Sequence, residues 1–167
     1  MLPMPHWYAV RTTARWETLA SAELSRRGIE TYLPVCHVKR RWSDRIKILD
    51  EPLFSGYLFG HFPLEDRIRV LETPGVRQIV SIGATPAPID ETEIENLRRL
   101  VTAQPLLVPW PYLSAGQRVR IDKGPLAGVE GYVLRAEVDA LRIVVSVDLL
   151  QRSVATEIDR DCIGAAQ

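Results

Sequence analysis

Four groups of residues in this chain have types and spacings that suggest chemistry. Cys36 beside His37 sets a nucleophile next to a base. If the segment is extended, however, sequence neighbours point to opposite faces and the thiol gains no base. Cys162, His6 and His61 stand apart from them and from one another, with neither metal-ligand spacing nor a catalytic grouping. Catalysis, a metal and a cofactor are therefore not expected. The run Lys39-Arg40-Arg41-Trp42-Ser43-Asp44-Arg45-Ile46-Lys47 is different, because it surrounds an indole with cations. Such a segment can neutralise a few phosphates and stack on a base. Pro52 to Phe62 holds the densest aromatic cluster, Phe54, Tyr57, Phe59 and Phe62, in which Phe54, Tyr57 and Phe59 offer rigid aromatic area with a polar hydroxyl at one end. Last come Gly124-Pro125, Gly128 and Gly131, which fit a tight turn, a left-handed position and a close backbone approach.

The elements that must carry these groups follow from periodicity. Trp7 to Arg11 is short, aromatic and β-branched, and reads as a strand. Trp16, Leu19, Ala20 and Leu24 recur at helical spacing, predicting a helix over about 14–27 with Thr13 as N-cap, Arg26 and Arg27 at its negative end and Gly28 just past it. Ile29 to Val35 is strand-like, with Pro34 arguing for an edge or a bulge. Val38–Trp42 and Arg45–Leu49 are expected to form a basic hairpin about Ser43-Asp44. Tyr57 to Phe62 is a strand with Tyr57, Phe59 and His61 on one face. A short helix after Pro63, a strand over 76–82 and a helix capped at Asp90 complete an α+β sandwich, a sheet covered mainly on one side.

The pattern changes at Gln104. Pro105, Pro109 and Pro111 stiffen 104–113 into a connector rather than an element, although Leu106, Leu107, Trp110 and Tyr112 make it too apolar for a free tether. From Gln117 the apolar period becomes two, and four or five short strands with no helix signal suggest a small closed barrel. The expected organisation is thus a domain over 6–103, a linker over 104–113 and an all-β domain over 114–167.

Composition sets the outer limits. Of 167 residues 46% are hydrophobic, enough to form a core, and 21 Lys and Arg balance 21 Asp and Glu. The balance is uneven: residues 1–47 carry nine basic against four acidic groups, and 48–103 carry five against nine. Bulk nucleic-acid coating is thereby excluded, leaving only a local phosphate-facing surface. Nothing reads as a membrane span or a signal peptide, so a cytoplasmic protein with no membrane partner is expected.

The segment Val119-x-Ile121-x-x-Gly124-Pro125-x-x-Gly128-x-x-Gly131-x-Val133 is a KOW motif, found in SH3-like barrels of transcription and ribosomal proteins. Ahead of it stand Trp7-Tyr8-Ala9-Val10, Pro52-Leu53-Phe54-Ser55-Gly56-Tyr57-Leu58-Phe59, Thr73-Pro74-Gly75-Val76 and Pro86-Ala87-Pro88-Ile89. In this order they resemble the NusG family over about residues 6–165. The resemblance implies a transcription elongation factor, not an enzyme. Its N-terminal domain would bind the clamp helices of the largest RNA polymerase subunit and suppress pausing, and its barrel would recruit termination factor Rho or a small-subunit ribosomal protein. On that footing Arg11, Phe54, Tyr57 and Phe59 are the candidate polymerase contacts, at least two of the rings serving as surface anchors. Arg15, Lys39, Arg40, Arg41, Trp42, Arg45 and Lys47, with Arg26 and Arg27, are candidates for upstream or non-template DNA.

Departures from the family pattern point to a specialised, antiterminating paralog rather than the housekeeping protein. Leu149, Leu150 and Arg152 lie where housekeeping members carry Phe-Gly-Arg, with Leu150 at the ring that helps bind Rho and the ribosomal protein. One specialised relative refolds its barrel into a helical hairpin. Here Ile143-Val144-Val145-Ser146-Val147 and the intact KOW glycines favour strands. The competing reading is a ribosome-associated KOW protein that binds structured RNA.

Overall fold

A computed structural model describes residues 3–103, 108–110, 118–123, 126–136, 140–147, 152–159 and 163–165. The chain divides into two compact units, 1–34 with 54–94, and 35–53 with 95–167. In chain order the elements are β1 (His6–Thr12), α1 (Glu17–Arg26), β2 (Glu30–Tyr32), β3 (Val35–Trp42), β4 (Arg45–Pro52) and β5 (Tyr57–Phe62). After a 3₁₀ turn at Leu64–Asp66 come α2 (Arg67–Leu71), β6 (Val76–Ile79), β7 (Ser81–Ile82), β8 (Thr85–Pro86), β9 (Pro88–Ile89) and α3 (Glu91–Ala103). The remaining strands are β10 (Val108–Trp110), β11 (Arg118–Ile121), β12 (Glu130–Ala136), β13 (Ala140–Val147), β14 (Arg152–Asp159) and β15 (Ile163–Ala165).

The first unit is built on an antiparallel sheet of order β2-β5-β1-β6, with β9 pairing the start of β1. Alternation along β1 and β5 sends Tyr8, Val10, Leu58 and Phe62 to one side, where they pack with Ala20 and Leu24 of α1, Val70 of α2, and Ile29 and Ile79. Tyr8 and Phe62 sit ring to ring at 4.9 Å. This is the sandwich the apolar period anticipates. The helix α1 ends as its sequence dictates: Gly28 adopts φ +83°, the amide of Ile29 donates to the Leu24 carbonyl and that of Gly28 to Ser25.

Its beginning differs. The helix starts at Glu17 rather than Ala14, and the Thr13 hydroxyl does not cap it but accepts from Arg77 Nε at 3.2 Å. Arg15 takes φ +68°, a left-handed conformation that turns the chain before the first helical residue. Glu17 is then nearly buried, 5% exposed, and its Oε1 accepts the Gly56 amide at 2.8 Å. The Gly56 carbonyl in turn accepts from the Thr12 amide. Glu17→Ala is expected to leave the Gly56 amide without its acceptor and to lower stability by about 1–3 kcal/mol, read from urea denaturation. Glu17→Gln keeps an acceptor oxygen and should recover most of that loss.

In the second unit, 140–147 and 152–159 pair along their full length from Ala140↔Asp159 to Val147↔Arg152, within a six-stranded sheet of order β10-β14-β13-β12-β11-β15. Two corrections follow. The connector is not featureless, because Val108–Trp110 forms a strand against Ala155–Ser153. Pro109 is tolerated there because β10 lies at the end of the sheet order, where a strand needs ladder bonds on one side only. Ile163–Ala165 supplies a further strand, paired with β11, that its small residues did not announce.

Candidate functional site

The sheet face opposite the helices carries Tyr57 and Phe59 of the expected aromatics, within three rows across neighbouring strands. Glu30, His61 and Trp7 form the first, Tyr32, Phe59 and Ala9 the second, and Tyr57 and Arg11 the third. Period two in β1 and β5 puts them together, so Tyr57, Phe59 and His61 do share a face. In the first row the Trp7 and His61 rings stack at 4.9 Å, and His61 Nδ1 is 2.9 Å from Glu30 Oε2. In the second, Phe59 stacks against Tyr32 at 6.3 Å and meets Phe54 edge-on at 6.4 Å.

Exposure divides the four expected contact residues. Arg11 is exposed and Tyr57 half-buried, whereas Phe54 and Phe59 are buried, at 3% and 0%. The expectation of rings open to solvent is corrected for these two. The reason is geometric: a stacked partner on one side and an edge-on partner on the other enclose Phe59, and Phe54 turns inward from the loop before β5. Sequence reasoning passed over Trp7 and Glu30 as members of the same face. The signal was present in the alternation of β1, whose residues 7, 9 and 11 must follow one another on one side.

The basic hairpin is longer than expected, with β3 and β4 pairing from Val35↔Pro52 to Trp42↔Arg45 as a separate two-stranded sheet. At its tip Lys47 Nζ lies 5.2 Å from the centre of the half-exposed Trp42 ring, a cation–π contact that fixes the indole. Arg41, Ser43, Asp44, Arg45 and Ile46 line a shallow open hollow beside it. Lys39 and Arg40 take register opposite Ile48 and Lys47. The structure therefore gathers Arg41, Trp42, Arg45 and Lys47 at one tip, while Arg15, Arg26 and Arg27 belong to α1 and its flanks in the other unit. Cys36 is buried, and burial pushes its thiol up, with the Glu51 carboxylate opposite and then Asp50 adding to the effect. His37 bonds Asp50 at 2.5 Å instead, so this histidine is engaged away from the thiol.

Of the KOW residues, Gly128 adopts φ +93° and Gly131 is buried in β12. Arg99 Nη1 of α3 donates to the Ala127 carbonyl at 2.7 Å. A Cβ on Gly128 would stand 3.3 Å from the same nitrogen. Gly124, Pro125, Leu149 and Leu150 lie outside the described residues, and Arg152 is described only as the first residue of β14. Among the described residues no helix is long and apolar enough to cross a membrane.

Comparison with known proteins places these features in a family. Residues 5–98 match the family described as Transcription termination factor nusG. The chain is 27% identical over 173 residues to the transcription termination/antitermination protein NusG of Thermus thermophilus, covering 92% of this chain and 94% of that one. It is 25% identical over 171 residues to the protein of the same name from Staphylococcus carnosus, covering 94% and 93%. A solved structure described as domain interaction in Thermotoga maritima NusG superposes with a TM-score of 0.61 at 22% identity, covering 98% of each chain, which speaks to the fold.

Proposed function

Because the chain belongs to the NusG family of transcription termination and antitermination factors, we propose that it travels with bacterial RNA polymerase through a domain spanning 6–103, held to the clamp helices of the largest subunit. A linker over 104–113 would join it to a KOW domain over 114–167 that recruits a second factor, a small-subunit ribosomal protein or Rho. The single observation that carries the polymerase reading is the third row of the sheet face, where Arg11 is exposed and Tyr57 half-buried directly opposite it. A pair of packed helices presents apolar ridges edged by charge, and a phenol ring beside a guanidinium complements both. Phe59, in the adjacent row and in edge-on contact with Phe54, would support the Tyr57 row from the side.

The hairpin tip supplies the nucleic-acid side. Arg45 and Lys47 beside Trp42 suit a few phosphates and one stacked base of upstream or non-template DNA. Its contribution would fall steeply with salt, whereas the Tyr57 row would not. Leu150 in place of the family's aromatic supports a specialised antiterminating role for this chain.

The test is the affinity of the full chain for an isolated clamp-helix coiled-coil fragment. Tyr57→Ala is expected to weaken binding by about 1–3 kcal/mol, with the far-ultraviolet circular dichroism and melting curve unchanged. A folded variant that binds like the wild type would overturn the assignment.

A further inference from the structure

We propose that the β3–β4 hairpin is two-faced, and that the side carrying Ile46 and Ile48 docks on a protein surface of apolar side chains edged by carboxylates. This rests on the polymerase reading for the choice of partner, RNA polymerase itself, and goes beyond the nucleic-acid reading of the tip.

Residues directly opposed in an antiparallel pair project to the same side. Trp42 opposes Arg45, and Lys47 lies over the Trp42 ring, so these three share one face. Arg41 opposes Ile46, and His37 opposes Asp50 and bonds to it, so these belong to the other face together with Ile48. On that second face Ile46 is 69% and Ile48 61% exposed. Two neighbouring isoleucines left in water at a strand period of two form a contiguous apolar strip rather than scattered surface residues. The strip sits on an isolated two-stranded sheet, a form that is marginal in water unless one face is covered.

Charge selects the occupant. The Lys39–Lys47 segment holds five basic residues against the single acidic Asp44, and Asp50 on the isoleucine face is engaged by His37. Arg41 stands beside the strip, across from Ile46. A sugar-phosphate backbone would answer the guanidinium and leave both isoleucines wet. A protein surface with leucines or valines beside carboxylates answers both, which is why a protein is favoured over nucleic acid on this side.

The experiment measures the full chain against two probes, nucleic-acid-free core RNA polymerase and a single-stranded oligonucleotide. Ile46→Ser/Ile48→Ser is expected to lower affinity for the core enzyme about tenfold and to leave oligonucleotide binding unchanged. Both side chains are exposed, so the variant should fold normally. Arg45→Ala/Lys47→Ala should do the reverse, and its loss should shrink at high salt. Wild-type affinity of the double serine variant for the core enzyme would overturn the inference. So would a loss seen only with the oligonucleotide, or only in self-association by sedimentation. A wild-type chain that does not bind core polymerase at all would overturn the functional reading and this inference together. Loss on Tyr57→Ala without loss on the serine variant would overturn this inference alone.

Discussion

Phe59→Ala is expected to lower the stability of the protein by about 3–5 kcal/mol, the scale of a large aromatic removed from a filled interior. Phe59 has no exposed surface, and the rings of Tyr32 and Phe54 bracket it. The backbone of β5 is held on both sides by β1 and β2, so the site cannot collapse to fill the space. Chemical denaturation would show the change as a shifted midpoint at unchanged slope. The comparison with Tyr57→Ala, two residues away on the same face, separates support from contact: the first should lose stability, the second binding. A Phe59→Ala variant with wild-type stability and weak polymerase binding would reverse the two roles.

Gly128→Val is the second large effect, at about 2–4 kcal/mol. The positive φ of +93° is strained for a β-branched residue by about 1–3 kcal/mol. The added carbon also presses on the Arg99 guanidinium at 3.3 Å and disturbs its bond to Ala127. Gly128 cannot shift freely to relieve this, because its own amide donates to the Ile121 carbonyl at 2.7 Å and Ile121 bonds back to Val129. Arg99→Ala removes only the exposed guanidinium bond and should cost below about 1 kcal/mol. The difference between the two variants in a thermal melt isolates the backbone strain. Equal losses would show that the side-chain bond, not the glycine conformation, holds the turn.

The elements with unmixed periodicity were legible from residues alone. Tyr57, Phe59 and His61 had to share a face once 57–62 was a strand, and Gly28 had to sit past the end of α1. Which aromatics meet solvent was not legible, because β5 is apolar on both sides: Leu58 and Phe62 face the helices, and Phe59 is equally enclosed on the other. Strand alternation names two faces without saying which is covered. Thr13 failed as a cap for a non-local reason: Arg77, 64 positions later, takes its hydroxyl. Glu17 was equally hidden, since its acceptor role depends on Gly56, 39 positions along the chain. The β10 strand was masked by prolines, whose cost vanishes at an edge that local sequence cannot identify.

The strand order β2-β5-β1-β6 has one more implication. The strand His6–Thr12 in the middle of that sheet is made before the strands on either side of it. Its two neighbours, Tyr57–Phe62 and Val76–Ile79, emerge dozens of residues afterwards. Until then Trp7 to Val10, four buried apolar residues in a row, have no partner strand to join. Such distant pairing makes for slow folding, and it leaves an aggregation-prone segment waiting during synthesis. The nascent chain should therefore depend on chaperone cover until Ile79 has been translated, a vulnerability the finished molecule no longer displays.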